Sequence, residues 1–307
     1  MKIKAGTRTS RLALWQAERI ASLIESAHGK DVEVEIVGMS TLGDEIQDRS
    51  LPEIGGKGLF TERLERALLA GDIDLAIHSL KDLPTRLPEG LRFGGSPERG
   101  DPTDAFVSTR WESVEAMPEG ATVATGSRRR RAQMRARRPD VEFVDLRGNI
   151  GTRLQKLDDH GWDGLIMATA ALRRLNMDDT ITEALDPTRH VPAVSQGALG
   201  IEIADDHDDI GEILEPILDE TVTRACRAER AFLRKLEGGC TVPLGGHCRR
   251  EDGTWAFYGW VGEIGGDRVL AERRTSDTPR DTALQMAQDF IDAGAREMLT
   301  EPDDFDG

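Results

Sequence analysis

The sequence predicts an α/β protein built from two similar domains and a small α+β C-terminal domain, and three observations carry that prediction. Over the first two thirds, short apolar runs alternate with stretches of helical periodicity, the pattern of helices packed on a mainly parallel sheet. After "DPTDAFVS" the same alternation starts again, as a second copy of the unit would. From about residue 218 the texture changes to a long helix, several strands and a closing helix.

The elements follow in order. "IKAG" is strand-like, and "RLALWQAERIASLIESA" carries apolar residues at helical spacing behind Ser10, a residue type that caps helix N-termini. "VEVEIVGM" is a strand, "LFTERLERALLAG" a helix closed by Gly71, and "IDLAIHS" a buried strand. The second copy runs through "ATVAT", an arginine-rich helix ended by Pro139, "VEFVDLR", the helix "GTRLQKLDDHG" and the strand "GLIMAT". "VPAVSQGALGIEIA" reads as a return strand. The last part is the helix "ETVTRACRAERAFLRKLEGG", the strands "TWAFYGWVGE" and "RVLAERRT", and the helix "DTALQMAQDFIDAGAREML". The expected domains are 1–97 with 198–216, 102–192 and 218–307, with crossings near 98–104 and 192–198.

Composition bounds the function. The formal charge is −16, and 7 lysines stand against 33 arginines. An acidic surface poor in lysine suits a cytoplasm rich in salt, where screening weakens self-repulsion, so a halophilic source is expected. The same charge argues against a nucleic-acid binder, which needs a net basic face. No start of the secretory type and no apolar run of roughly 18 to 20 residues is present, so a cytoplasmic protein without a membrane span is expected. Cys226, Cys240 and Cys248 lack CxxC spacing, so neither a disulfide framework nor a zinc ribbon is indicated. Cys226 sits in an apolar helical pattern and reads as a buried small hydrophobe, while Cys240 and Cys248 stay open.

Polar and cationic residues recur where strands end and helices begin, in "GTRTS", "HSLKDLP", "TGSRRRR", "RGNIGTR" and "ATAALRR". In open α/β sheets ligands sit outside the carboxyl ends of the strands, where helix N-termini offer free N–H groups. Arg8, Lys81, Arg129, Arg130, Arg147, Arg153 and Arg174, with Ser10, Thr125 and Ser127 as hydroxyl donors, describe a cleft for a polyanion. For any single arginine an ordinary surface ion pair is the better expectation; the joint pattern is harder to dismiss. One carboxylate, Asp82, stands among these cations, either to turn the chain before Pro84 or to stabilise a transient cation or move a proton. His78 reads as a hydrogen-bonded structural histidine. "LGDEIQDRSLPEIGGKGLF" has the length of a lid or binding loop from which Lys57 could swing inward.

Together these residues resemble the porphobilinogen deaminase family. The matching segments are "GTRTSRLALWQA", "GGKGLFTERLE", "AIHSLKDLPT", "RGDPTDAFVS", "DLRGNIGTRL", "VPAVSQGALGIE" and "LEGGCTVPLG", collinear over nearly the whole chain and weakest in its last sixty residues. The resemblance implies that the first two domains are like the lobes of a periplasmic binding protein. It implies a monomeric transferase that condenses four porphobilinogen molecules into hydroxymethylbilane in porphyrin and haem biosynthesis, the product passing to uroporphyrinogen-III synthase. It further implies a dipyrromethane cofactor bound covalently to Cys240, and no metal or nucleotide. By position, Asp82 would be the catalytic carboxylate. Lys81, Thr125, Ser127, Arg129, Arg130 and Arg147 would hold the cofactor. Arg8, Ser10, Lys57, Phe60, Arg153, Arg174, Gln196 and Gly197 would line the path of substrate. Three positions depart from the family: Glu53 for a common lysine, Gly126 for a serine and Ser195 for a glycine.

Other classes of reading remain in view. A two-lobed anion receptor leaves a cysteine-bearing third domain unexplained. A nucleic-acid binder rests on the seven arginines of 128–138 alone. A thiol enzyme using Cys240 in every turnover needs a base, and His247 is the only histidine close in sequence.

Overall fold

The computed structural model describes residues 1–40, 61–236, 242–264 and 267–300, so Glu53, Lys57, Phe60 and Cys240 lie outside the described residues. The chain divides into two compact units, Met1–Gly100 with Gly197–Thr223 and Asp101–Gln196 with Arg224–Gly307.

In the first unit, β1 (Lys2–Arg8), β2 (Glu33–Met39), β3 (Leu75–Ser79), β4 (Leu91–Gly95) and β10 (Leu199–Ala204) form one sheet in the order β2-β1-β3-β10-β4. β1 pairs in parallel with β2 and β3, while β10 runs antiparallel to β3 and β4 and is therefore the one reversed strand. Helix α1 (Arg11–His28) buries Ala17, Ile20, Ala21 and Ile24, the i, i+3, i+4 stripe read from the sequence. That stripe meets Ile3, Leu75, Ile77 and Ile201 in one core, each large side chain contributing about 1.5–3 kcal/mol by leaving water. Helix α2 (Glu62–Leu69) closes a second apolar cluster with Ile73 and Leu91. β1 is longer than the sequence suggests: Gly6, Thr7 and Arg8 pair with Val37, Gly38 and Met39, so the loop starts at Thr9. A Cβ on Gly6 would lie 2.3 Å from Ile73 Cδ1, which explains a glycine inside a strand.

The second unit holds two sheets. β5 (Asp104–Val107), β6 (Thr122–Ala124), β7 (Glu142–Val144), β8 (Gly164–Ala168) and β9 (Glu183–Ala184) are ordered β7-β6-β8-β5-β9. β6 is parallel to β7 and β8, and β5 is antiparallel to β8 and β9, so the sheet repeats the plan of the first. Helices α3 (Arg128–Arg137), α4 (Ile150–His160) and α5 (Thr169–Arg174) follow β6, β7 and β8. After the short α6 (Asp208–Leu214) of the first unit, helix α7 (Glu220–Lys235) leads to an antiparallel meander of β11 (Leu244–Glu251), β12 (Thr254–Gly262) and β13 (Val269–Ser276). The β11–β12 hairpin turns on Asp252 and Gly253 at φ 46° and 84°, the paired positive φ that suits the twist of the strands. Phe232, Phe257, Met286 and Phe290 centre its core, and Cys226 and Cys248 are buried. The closing helix is two, α8 (Pro279–Asp292) and α9 (Ala295–Leu299), because Gly294 takes φ 92° and breaks the run.

Candidate active site

In each sheet the candidate side chains collect on one edge. β1 and β3 are neighbouring parallel strands, so Arg8 at the end of one and the Leu80–Asp82 turn after the other share the carboxyl edge of the first sheet. Asp82 is exposed and Lys81 half-buried. Ser10 caps α1, its Oγ accepting the Ala13 N–H at 3.3 Å. His78 is structural, as expected: its Nε2 lies 3.0 Å from Glu202 Oε2 and both side chains are buried.

In the second sheet, β7, β6 and β8 deliver Arg147, the Thr125–Ser127 turn and Arg174 to one edge. Thr125 Oγ1 accepts the Ser127 N–H at 3.2 Å, and Ser127 Oγ accepts from the Arg130 N–H at 3.5 Å as the cap of α3. Asn149 caps α4 through Thr152 N–H at 2.9 Å, and Arg153 Nε donates to Gly148 O at 2.7 Å. Each capping hydroxyl spends a lone pair on the backbone, which leaves its own O–H to donate to an anion.

The arginine run resolves differently from its expected role. Arg129 Nη1 donates to Asp104 Oδ2 at 2.7 Å, and Arg130 donates through Nε and Nη2 to Asp104 Oδ1 at 2.9 and 2.7 Å. Both guanidiniums are buried, 4% and 7% exposed, against a carboxylate that is wholly enclosed. Burial works against the ionised Asp104 most strongly, yet Arg129, Arg130 and His190 together hold its carboxyl well below the usual range. His190, with Nε2 3.2 Å from Asp104 Oδ2, is pushed down by burial, which outweighs the attraction of Asp104. Arg131, Arg137 and Arg138 pair with Asp145, Glu115 and Asp140, the ordinary ion pairs weighed for single arginines. The run is thus largely neutralised from within, which further separates it from a nucleic-acid surface.

Gln196, expected near the second crossing of the chain, is 1% exposed and its Nε2 donates to Pro102 O at 2.8 Å, Thr103 O at 3.2 Å and Asp104 Oδ1 at 2.9 Å. Gly197, next in sequence, takes φ 85° and its carbonyl accepts the Gly100 N–H at 2.9 Å. Asp104 itself escaped the sequence reading, although an acid flanked by apolar residues in "TDAFV" is the signal that could have found it. Glu229 escaped too: buried on α7, it accepts the Ser195 N–H at 2.6 Å and the Cys248 N–H at 2.7 Å. His247, the base weighed for a thiol mechanism, is buried with Nδ1 3.5 Å from Glu229 Oε1.

Two departures acquire physical meaning. A Cβ on Gly126 would sit 2.9 Å from Leu146 O, so the missing serine matches a tight backbone approach. Ser195 occupies φ 61°, where glycine is the unstrained residue, and its buried Oγ finds no hydrogen-bond partner among the described residues. Ser195→Gly is therefore expected to raise the unfolding free energy by roughly 1 kcal/mol after the added freedom of the unfolded chain is offset, read as a higher urea midpoint. An unchanged or lower midpoint would show that the left-handed turn carries no strain.

Each of two α/β sheets of one plan carries capped helices and guanidinium groups at its strand ends, the first with an exposed carboxylate among them. The chain belongs to the porphobilinogen deaminase family. Residues 3–212 match the model described as "Porphobilinogen deaminase, dipyromethane cofactor binding domain", and residues 223–292 match the one described as "Porphobilinogen deaminase, C-terminal domain". The chain is 47% identical to the porphobilinogen deaminase of Nitratidesulfovibrio vulgaris strain DP4 over 96% of this chain and 95% of that one. It is 46% identical to that of Neisseria meningitidis serogroup A, covering 97% and 96%. Among solved structures it is similar to immunogenic lipoprotein A of Vibrio vulnificus, at 14% identity over 72% of this chain and 96% of that one, with a TM-score of 0.43. The family is that of hydroxymethylbilane synthase, a transferase acting on porphobilinogen in tetrapyrrole biosynthesis, so the chain is an enzyme.

The residues present fit the family's cofactor. A dipyrromethane bears carboxylate side chains, and within the second unit the capped Thr125–Ser127 turn and half-buried Arg147 are hydroxyl and guanidinium donors of the matching kind.

Proposed function

We propose that this enzyme condenses four porphobilinogen molecules head to tail, releasing ammonia at each addition, and frees hydroxymethylbilane by a final hydrolysis. The observation that carries the reading is the placement of exposed Asp82 beside Lys81 on the same strand edge as Arg8 and Ser10. A dipyrromethane attached through Cys240 would supply the free pyrrole carbon for the first new carbon–carbon bond, each added ring offering the carbon for the next. As the aminomethyl carbon–nitrogen bond of porphobilinogen breaks and ammonia leaves, Asp82 stabilises the cation that develops on the substrate and orients its pyrrole N–H. Lys81, Thr125, Ser127 and Arg147 hold the carboxylates of the primer. Arg129 and Arg130 add the donors not spent on Asp104. Arg8, Ser10, Arg153 and Arg174 receive those of substrate and growing chain, Lys57 and Phe60 belong to the active-site loop, and Gln196 and Gly197 shape the second crossing of the chain. The division into 1–97 with 198–216, 102–192 and 218–307, action as a cytoplasmic monomer, and delivery of product to uroporphyrinogen-III synthase belong to the same reading.

Mass spectrometry of the purified protein tests it. The peptide containing Cys240 is expected to carry the mass of a dipyrromethane, and the protein to colour with an acidic aldehyde reagent. A folded protein whose Cys240 is unmodified and which consumes no porphobilinogen contradicts the proposal.

A further inference from the structure

The two loops of the first unit that carry Arg8–Ser10 and Lys81–Asp82 are fastened to each other by side chains that have no assigned role. Gln16 is buried on α1, and its Nε2 and Oε1 lie 2.9 and 3.2 Å from Ser79 Oγ, 63 positions away in sequence. Ser79 is the last residue of β3, and the Leu80–Asp82 turn follows it directly. An amide that offers both a donor and an acceptor to one hydroxyl fixes the rotation of that hydroxyl as well as its position. Buried Thr7 adds to the fastening, its Oγ1 3.3 Å from Ala13 O and 3.4 Å from Ile77 O, so one hydroxyl at the end of β1 reaches both the first turn of α1 and β3. Behind the turn, Leu80 N–H donates to Ala198 O at 3.1 Å. A Cβ on Gly200 would come within 2.7 Å of Leu80 Cδ1, so the turn has no room to shift toward β10.

We propose that Gln16 is a positioning residue of the reaction. Through Ser79 it sets the Lys81–Asp82 turn against the Arg8–Ser10 loop at the start of its own helix, so that the catalytic carboxylate and the groups gripping substrate carboxylates keep one mutual geometry. Apolar packing could hold α1 on the sheet without Gln16, as Ala17, Ile20 and Ile24 already do. The polar contact adds direction. The inference rests on the function proposed above and assigns to it a residue that touches neither substrate nor cofactor.

The test uses the full chain purified with its primer. Gln16→Leu and Ser79→Ala are each expected to lower kcat for porphobilinogen about tenfold or more, since small displacements of catalytic groups are that costly, with KM changed less than about threefold. Primer load by intact mass and the thermal midpoint stay near those of the wild type. The double variant is expected to be no slower than the slower single one, because the pair acts as a unit. Ser79→Thr, which keeps the hydroxyl, restores kcat. Unchanged kcat in both single variants, additive losses, or a loss that follows falling primer load or stability each overturns the positioning role. A wild-type protein inert toward porphobilinogen refutes the proposed function itself, whereas an active wild type with an equally active Gln16→Leu refutes only this inference.

Discussion

Asp82→Asn is expected to leave the protein folded and loaded with primer while slowing porphobilinogen turnover by about 10²-fold or more, the range found when one preorganised electrostatic group is removed from a transition state. The substitution conserves shape and changes only charge. Asp82 is exposed in the turn after β3, so no buried network is disturbed and the fold has little reason to respond. In the proposed reaction its negative charge is what meets the positive charge developing on the substrate. The loss should fall mainly on kcat and kcat/KM alike, because the charge of Asp82 counts most where positive charge develops in the transition state. Steady-state kinetics with intact mass on the same preparation checks both halves. Normal elongation by the variant would remove Asp82 from the chemistry.

Much of this architecture was legible because it rests on repeating patterns. The α1 stripe of Ala17, Ile20 and Ile24 and the apolar runs of β3 and β8 bury as their periodicities demand. The cap Ser10 was visible as a residue type placed just before helical periodicity, whereas Ser127 stood out only as a hydroxyl donor. What stayed hidden depends on contacts between distant positions. Arg129 and Arg130 look like free cations in a string of letters, and only the meeting of "SRRRR" with "TDAFV" across 25 and 26 positions reveals Asp104 as their partner. Gln16 looked like one more polar residue on a helix, although its i, i+4 relation to Ile20 already placed it on the buried face. The return strand was overextended through "VPAVSQG" because apolar residues there pack around an irregular crossing, with Ser195 at positive φ, instead of entering the sheet. Gly294 split the last helix by a single backbone angle, which helical periodicity does not register.

Asp104→Asn is expected to destabilise the second unit by about 3–5 kcal/mol, the size seen when one member of a buried ion cluster is removed and the other charges stay behind. The carboxylate is fully enclosed and accepts from Arg129, Arg130 and Gln196, with His190 beside it. Asparagine keeps one acceptor oxygen but turns an NH₂ group toward guanidinium donors, so two buried cations lose their counter-charge and donors face donors. Urea unfolding followed by tryptophan fluorescence reports mainly on this unit, because Trp111, Trp162, Trp255 and Trp260 lie in it and Trp15 alone lies in the other. Acid should reduce the difference between the two proteins. The folded carboxyl of Asp104 is held below the unfolded value of about 3.9, so its stabilisation is complete above that pH and is lost as pH falls toward the depressed folded value. The stability gap should accordingly be constant near neutrality and narrow below about pH 4, with the wild type falling toward the variant. A gap under about 1 kcal/mol at pH 7 would mean that Arg129 and Arg130 do not depend on the charge of Asp104 for their stability in the fold.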